Sequence, residues 1–483
     1  MNSLLVDLIS LVSESQVYLG FVLLAILAAA SVAMMIILTG RHVPGRRILL
    51  VGLALGIPIM TPMLMESTRS SFFAMNMSFA DLLIVPVILY ILYSLIRWNK
   101  PIELPLFWLF LAYFLWGVIS LYIGCLRLDI EFVKFTNLVN MVKFLALFIY
   151  FFMVVNLIDD LDDWKIFLKS WVIAAAIVGL IGIGGSLLYL AFHVDTFAAG
   201  QFRAKGTLGN PNMFGGYLKT SFFLAYIYLV LGVRKLPYVL IMIILGIATL
   251  LSASKGSVVG LLVGCLALLL FIPRHRKKIL AMTVAVLVVT TAAYFASEHS
   301  RIYLDRLLSI TEVDSKSHQS RLKLWGISLK IFEENYLVGA GRGNFSKAYP
   351  DDFEAMEMGK TKWDAIGIGQ KEKEYGVTHS TYLSLLCEMG LPGLIGFLAI
   401  MLFFVRILLR RIMTLDPMDV AFTIQATLMA ALLSVLAQGG VANVENSRSL
   451  WALLGIILAY DVKILKRAYA HSAPSSSPES SGE

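Results

Sequence analysis

Polar stretches are what this 483-residue chain has least of. Charged residues make up 15% of it and hydrophobic ones 58%, with a mean hydropathy of +0.80, well beyond the usage of soluble domains. Outside residues 297–382 no hydrophilic block is long enough to bury a water-soluble core, so residues 1–483 read as a single polytopic membrane domain. Cysteine is scarce as well. Cys125, Cys265 and Cys387 lie in or beside apolar segments without a CxxC pair, which argues against a disulfide framework and a zinc site and leaves them as packing residues. A cleavable leader is also missing: Met1 to Gln16 is too short to span, carries Asp7 and Glu14, and lacks a basic start and a small-residue cleavage site. It reads as an interfacial helix.

What remains is a succession of apolar blocks, each long enough to cross a bilayer. Candidate spans start near Val17, Ile48, Phe79, Leu106, Asn137, Trp171, Met213, Tyr238, Gly256, Ile279, Thr381, Val420 and Leu450, which makes the fold an all-α integral membrane protein of about 12–13 transmembrane helices. The net charge of +8 sits mainly in the short connections RHVPGRR, RWNK, VRK, PRHRKK, RILLRR and KILKR. Basic residues so placed orient a membrane protein with these loops in the cytoplasm, and they do not describe a nucleic-acid surface. The alternate connections, with the long 297–382 loop, then face outward. The Ser/Pro-rich tail, residues 470–483, reads as disordered and cytoplasmic.

The outward connections hold the residues that suggest chemistry. In the long loop Leu322, Trp325, Leu329 and Phe332 recur at helical spacing after Ser317 and Ser320, candidate N-caps. The spacing predicts an amphipathic helix on the membrane surface, opened by Arg321. Arg321 is either a solvated arginine or a guanidinium fork for a phosphate. The glycines of GAGRGNF follow no strand and precede no clear helix, so they make a turn and not a nucleotide fingerprint. The acidic run DDLDD at 159–163 has the composition of a metal-dependent sugar-transfer site but falls on the cytoplasmic side, away from every other motif. His379, at the head of the next apolar helix, is either structural or a base able to take a proton from a hydroxyl.

Further cations point the same way. Arg203 and Lys205 lie in QFRAKGTLGNPNMFGG, and Lys255 in the bend LSASKGSVVG between two short apolar helices. Lys143 and Lys219 stand about two turns inside their spans, where an ionisable group faces a polar cavity or a partner such as Glu388. Together they describe an outward, electropositive cavity roofed by an amphipathic helix, suited to a lipid carrying a diphosphate.

From Phe202 to Phe397 the order of motifs resembles the O-antigen ligase and polymerase family, integral membrane enzymes that move glycans carried on undecaprenyl diphosphate. The pieces are Arg203 with Asn210, Pro211 and Asn212; the bend Ser254, Lys255, Gly256; Arg321 with Trp325; the turn Gly339, Gly341, Phe345; and His379 followed by Tyr382, Leu383, Glu388, Gly390 and Gly393. Lys255 stands where the family usually has arginine, Tyr336 where a proline often precedes the turn, and Ser380 where asparagine is common. The resemblance implies a fold related to the GT-C glycosyltransferases, placed in the bacterial inner membrane with its site facing the periplasm, and no cofactor or metal. It implies His379 as base and Arg203 and Arg321 as stabilisers of the leaving diphosphate. Lys255, Lys205, Lys219, Asn212, Trp325, Tyr382 and Glu388 are then substrate-binding candidates.

The implied reaction is inverting transfer from an undecaprenyl-diphosphate-linked donor to a sugar hydroxyl. The near balance of acids and bases in the long loop favours polymerisation of repeat units, with a possible chain-length regulator as partner, over ligation to a lipid A core. A lipid-linked glycan transporter or flippase is the rival of another class. It would show paired repeats and charges at midplane, whereas no repeat is evident and the charges gather on one face.

Overall fold

Helices account for almost every regular segment of the computed structural model, which describes residues 45–60, 78–192, 197–199, 203–232, 235–277, 316–348 and 377–465. In chain order they are α1 (Gly45–Gly56), α2 (Ile84–Trp98), α3 (Phe107–Arg127), α4 (Phe135–Leu157), α5 (Leu161–Phe192), α6 (Pro211–Leu231), α7 (Lys235–Leu251), α8 (Lys255–Phe271), α9 (Lys316–Glu334), α10 (Thr381–Thr414), α11 (Val420–Gly439) and α12 (Arg448–Ala459). A two-stranded ribbon, β1 (Ala198–Ala199) with β2 (Arg203–Ala204), is the sheet among the described residues. Seven of the described helical stretches are long and apolar enough to cross a membrane, and α7 and α8 are shorter apolar helices. The fold is therefore an all-α integral membrane protein. The spans expected near Val17 and Ile279, the interfacial Met1–Gln16 segment, the rest of the long loop and the tail lie outside the described residues.

Local chemistry sets the helix starts near the motifs. Asn210 caps α6, its Oδ1 accepting from the Asn212 amide at 2.8 Å, and Pro211 takes the first turn, where no amide hydrogen is needed. Ser254 caps α8 and Ser380 caps α10. The helix seen as opening at Arg321 starts earlier, at Lys316, so Ser317 and Ser320 lie inside it. Its buried stripe is also different: Leu324, Ile327 and Ile331 are buried with Cys387 of α10, whereas Leu322 and Leu329 are exposed. Two apolar stripes share this helix, and packing against α10 selects the one that hydropathy spacing did not single out.

The core runs the length of the bundle. Phe110 and Phe148 pack against Trp451, with Phe151 behind Phe110, and α12 is buried on every side from Leu450 to Ala459. On α8, Gly256, Gly260 and Gly264 recur every fourth residue, and a Cβ on them would overlap Val441, the Ser434 carbonyl and Phe223. Close backbone approach of this kind is how helices associate in lipid, where apolar surface alone gives little drive. Leu262, Leu266 and Leu270 occupy the opposite, exposed face.

Away from His379, two acids of DDLDD, Asp159 and Asp163, are held in ion pairs of the fold. Asp163 is fully buried between Arg46 (2.6 Å) and Arg47 (2.9 Å), Asp159 takes Lys100 (2.6 Å), and Arg411 pairs with Asp461. A buried carboxylate held by two guanidiniums is a structural clamp. One further ion pair, Arg448–Asp81 (2.5 Å), receives the Tyr150 hydroxyl at 2.6 Å and ties the start of α12 to the segment before α2.

Candidate functional site

His379 sits in a segment clamped from two directions. Its own backbone is left-handed, φ +53°, which a non-glycine residue adopts only when neighbours hold it there. On one side the Trp325 indole donates to the Thr378 carbonyl at 3.1 Å. On the other, the Thr381 amide and hydroxyl donate to the Ala442 carbonyl (3.2 and 2.9 Å), and the same hydroxyl reaches Glu445 Oε2 at 2.7 Å. Trp325 thereby brings Arg321, one turn earlier on α9, to His379. Burial first, and the charge of Arg321 second, push the His379 imidazole down to about 4, so it is neutral at physiological pH.

A second cluster forms around Arg203. Its Nε donates to the Ser252 carbonyl at 2.9 Å and its Nη2 to Asn212 Oδ1 at 3.2 Å, so the ribbon, the bend between α7 and α8 and the start of α6 share one guanidinium. Gln438 of α11 donates to the Asn212 carbonyl (3.3 Å) and to Ser257 (3.1 Å). The bend itself holds Ala253 at φ +46°, with Lys255 as the first residue of α8. Lys205 is half-buried two residues from Arg203. Tyr382 joins the clusters: its hydroxyl donates at 2.8 Å to the carbonyl of Leu436, two residues before Gln438.

Two candidates behave differently from the expectation. Lys219 is fully buried beside Gly260, with its Nζ 3.0 Å from Ser434 Oγ. Among the described residues no carboxylate pairs it, and Glu388 is engaged elsewhere. Glu388 Oε2 accepts from the Gly343 amide at 3.0 Å, and its carboxylate faces the Phe345 amide.

Glu388 belongs to a break in α10. Gly390 (φ +67°, ψ −170°) and Pro392 interrupt the helical ladder, freeing carbonyls that lipid cannot satisfy. The glycine turn answers them: Ala340 donates to Cys387 O (2.8 Å), Gly341 to Glu388 O (2.9 Å), and the Trp116 indole to Met389 O (2.8 Å). In return the Leu391 amide donates to Tyr336 O at 2.9 Å. The GAGRGNF run is thus the turn its glycines suggest, docked into a broken helix.

Sequence reading passed over Arg342, Glu445 and Gln438. Arg342 is buried, lies 3.8 Å over the Phe144 ring and donates to Asn446 at 2.8 Å. Glu445 accepts from Thr381, Asn443 and Asn446. A charge flanked by three glycines, and an acid in an otherwise apolar approach to a span, were the available signals. Among the described residues no three His, Cys, Asp or Glu side chains are arranged to hold a metal ion.

The geometry joins motifs that are far apart in the chain at one end of a helical bundle, with two arginines and a neutral histidine within it. No curated protein matches the sequence. Residues 240–398 match the family described as O-Antigen ligase, a stretch that opens in α7, closes in α10 and takes in Lys255, Arg321, the glycine turn, His379 and Glu388. Through that stretch, about a third of its length, the chain is similar to the O-antigen ligase family.

Proposed function

We propose that the protein transfers a glycan from an undecaprenyl-diphosphate-linked donor to a sugar hydroxyl at the outer face of the inner membrane, polymerising O-antigen or exopolysaccharide repeat units. The observation that carries it is the placing of a neutral His379 beside Arg321 on the docked helix α9, linked through Tyr382 and α11 to the Arg203 cluster. His379 takes the proton of the acceptor hydroxyl as that oxygen attacks the anomeric carbon, and the carbon–oxygen bond to the diphosphate breaks with inversion. The electron pair leaves on the diphosphate, where Arg321 and Arg203 stabilise it. Burial is the larger cause of the lowered imidazole pKa and the Arg321 charge the smaller; a bound diphosphate offsets the second, so donor binding strengthens the base.

The test is transfer by purified protein in lipid, with a defined lipid-linked donor, offered either a second lipid-linked repeat unit or a lipid A core. His379→Ala should lose about 10²–10⁴-fold in rate per folded molecule. Near-normal turnover in His379→Ala removes the proposed base, and preference for the lipid A core makes the protein a ligase.

A further inference from the structure

The fold leaves two polar side chains of α4 unused. Asn140 and Lys143 stand three residues apart and so share a face of the helix. Among the described residues neither side chain makes a hydrogen bond or ion pair, although Lys143 stands about 12 Å along α4 from its first residue. Such groups inside a span face a polar cavity or a ligand. The Asn140 amide lies against the glycine turn, 3.0 Å from where a Cβ on Gly343 would stand. Gly343 has φ +80° and is exposed, as is Asn446, so the space between α4, the turn and the approach to α12 opens to solvent.

The walls of this cleft are fixed. Arg342 is sandwiched between the Phe144 ring and Asn446, and Glu388 is capped by the Gly343 amide. From here a chain of hydrogen bonds runs from Arg342 to Asn446 (2.8 Å), from Asn446 to Glu445 (3.2 Å) and from Thr381 to Glu445 (2.7 Å), ending two residues after His379. The Arg203 cluster is reached the other way, from Tyr382 through α11. The start of α10 therefore separates two polar regions. One gathers Arg203 and Lys255. In the other, Arg342, Lys143 and Arg448 face Asp81, Glu388 and Glu445, three cations against three carboxylates. Among the described residues this balance leaves no excess positive charge to hold a second diphosphate, whereas amides and an ammonium with free hydrogen-bonding capacity suit a polyol.

We propose that the cleft lined by Asn140, Lys143, Gly343 and Asn446 is the acceptor subsite, binding hydroxyls of the incoming saccharide on the side of His379 away from Arg203. The assignment rests on the glycan-transfer reading given above. Transfer is measured in lipid with the polyprenyl-diphosphate-linked donor and, as acceptor, an oligosaccharide released from the polymer of the parent cells. Asn140→Ala and Lys143→Met should each raise the acceptor KM about tenfold, the loss of one hydrogen bond, with donor KM unchanged. Binding of undecaprenyl diphosphate alone, equal in parent and variants, shows that the variants are folded. An acceptor KM within twofold of the parent in both variants, or a rise in donor KM instead, overturns the subsite while leaving glycan transfer standing. A parent protein that transfers nothing removes the glycan-transfer reading, and the subsite with it.

Discussion

Replacing Gly390 with alanine tests whether the break in α10 is a fixed structural element. At φ +67° and ψ −170° the residue occupies a region open almost only to glycine, and a side chain there costs about 1–3 kcal/mol. The added Cβ would also overlap the Leu337 carbonyl oxygen, which is backbone and cannot swing aside. The turn must retreat, stretching Ala340–Cys387 (2.8 Å), Gly341–Glu388 (2.9 Å) and Leu391–Tyr336 (2.9 Å). Each weakened bond costs about 1 kcal/mol, so the total is about 4–6 kcal/mol. Gly184→Ala is the matched control, because a Cβ at that helical glycine meets nothing within 4 Å. It should be neutral or stabilise by up to about 1 kcal/mol. Reversible unfolding in mixed micelles reads both. If Gly390→Ala unfolds within about 1 kcal/mol of the parent, the break is pliable and the docking of the turn is incidental.

Other outcomes follow from the same geometry. Removing one partner of the buried Arg448–Asp81 pair, as in Asp81→Asn, should cost about 3–5 kcal/mol in the same unfolding assay, and Asp81→Asn with Arg448→Met should recover much of it; equal loss in both would assign the effect to packing. The acid limb of kcat/KM should lie near the His379 value of about 4, because transfer requires the neutral imidazole, and rate falls as pH drops through that value. Arg321→Gln removes a charge that depresses the pKa, so its limb should move up toward about 6.5; an unmoved limb would mean that another group titrates. For topology, Tyr336→Cys should react with an impermeant thiol reagent in spheroplasts and Met413→Cys should not, both residues being exposed, the first beside the break in α10 and the second at its C-terminal end; the reverse pattern would invert the orientation.

Much of this was legible in the sequence because lipid imposes a simple rule on it. Spans beginning near Phe79, Leu106, Asn137, Met213 and Thr381 are helices starting within a few residues of those points, and SASKGS is a bend with a left-handed Ala253. What stayed hidden were partnerships between distant residues. Lys219 looks, by depth alone, like one half of an ion pair with Glu388. In the fold Glu388 is used by a turn 45 residues earlier and Lys219 by Ser434. The buried face of α9 was ambiguous for another reason, since Leu322–Leu329 and Leu324–Ile331 both satisfy a helical period and only contact with α10 decides between them. Position alone sets acidic DDLDD aside as a site, and its structural use, with Asp159 and Asp163 held by Arg46, Arg47 and Lys100, could not be read from the sequence.

The glycine face of α8 constrains how this part of the chain can drift. At Gly256, Gly260 and Gly264 any side chain meets Val441, the Ser434 backbone or Phe223, so mutation there has almost no permitted outcome. At Leu262, Leu266 and Leu270, on the exposed face, any residue that lipid accepts will serve. A saturation library across this helix, scored for folded protein, should therefore alternate between intolerance and near-indifference with the period of the helix. The tolerant positions would record only the solvent, while the silent ones would record the distance at which Lys219 and Gln438 are held beneath the bend.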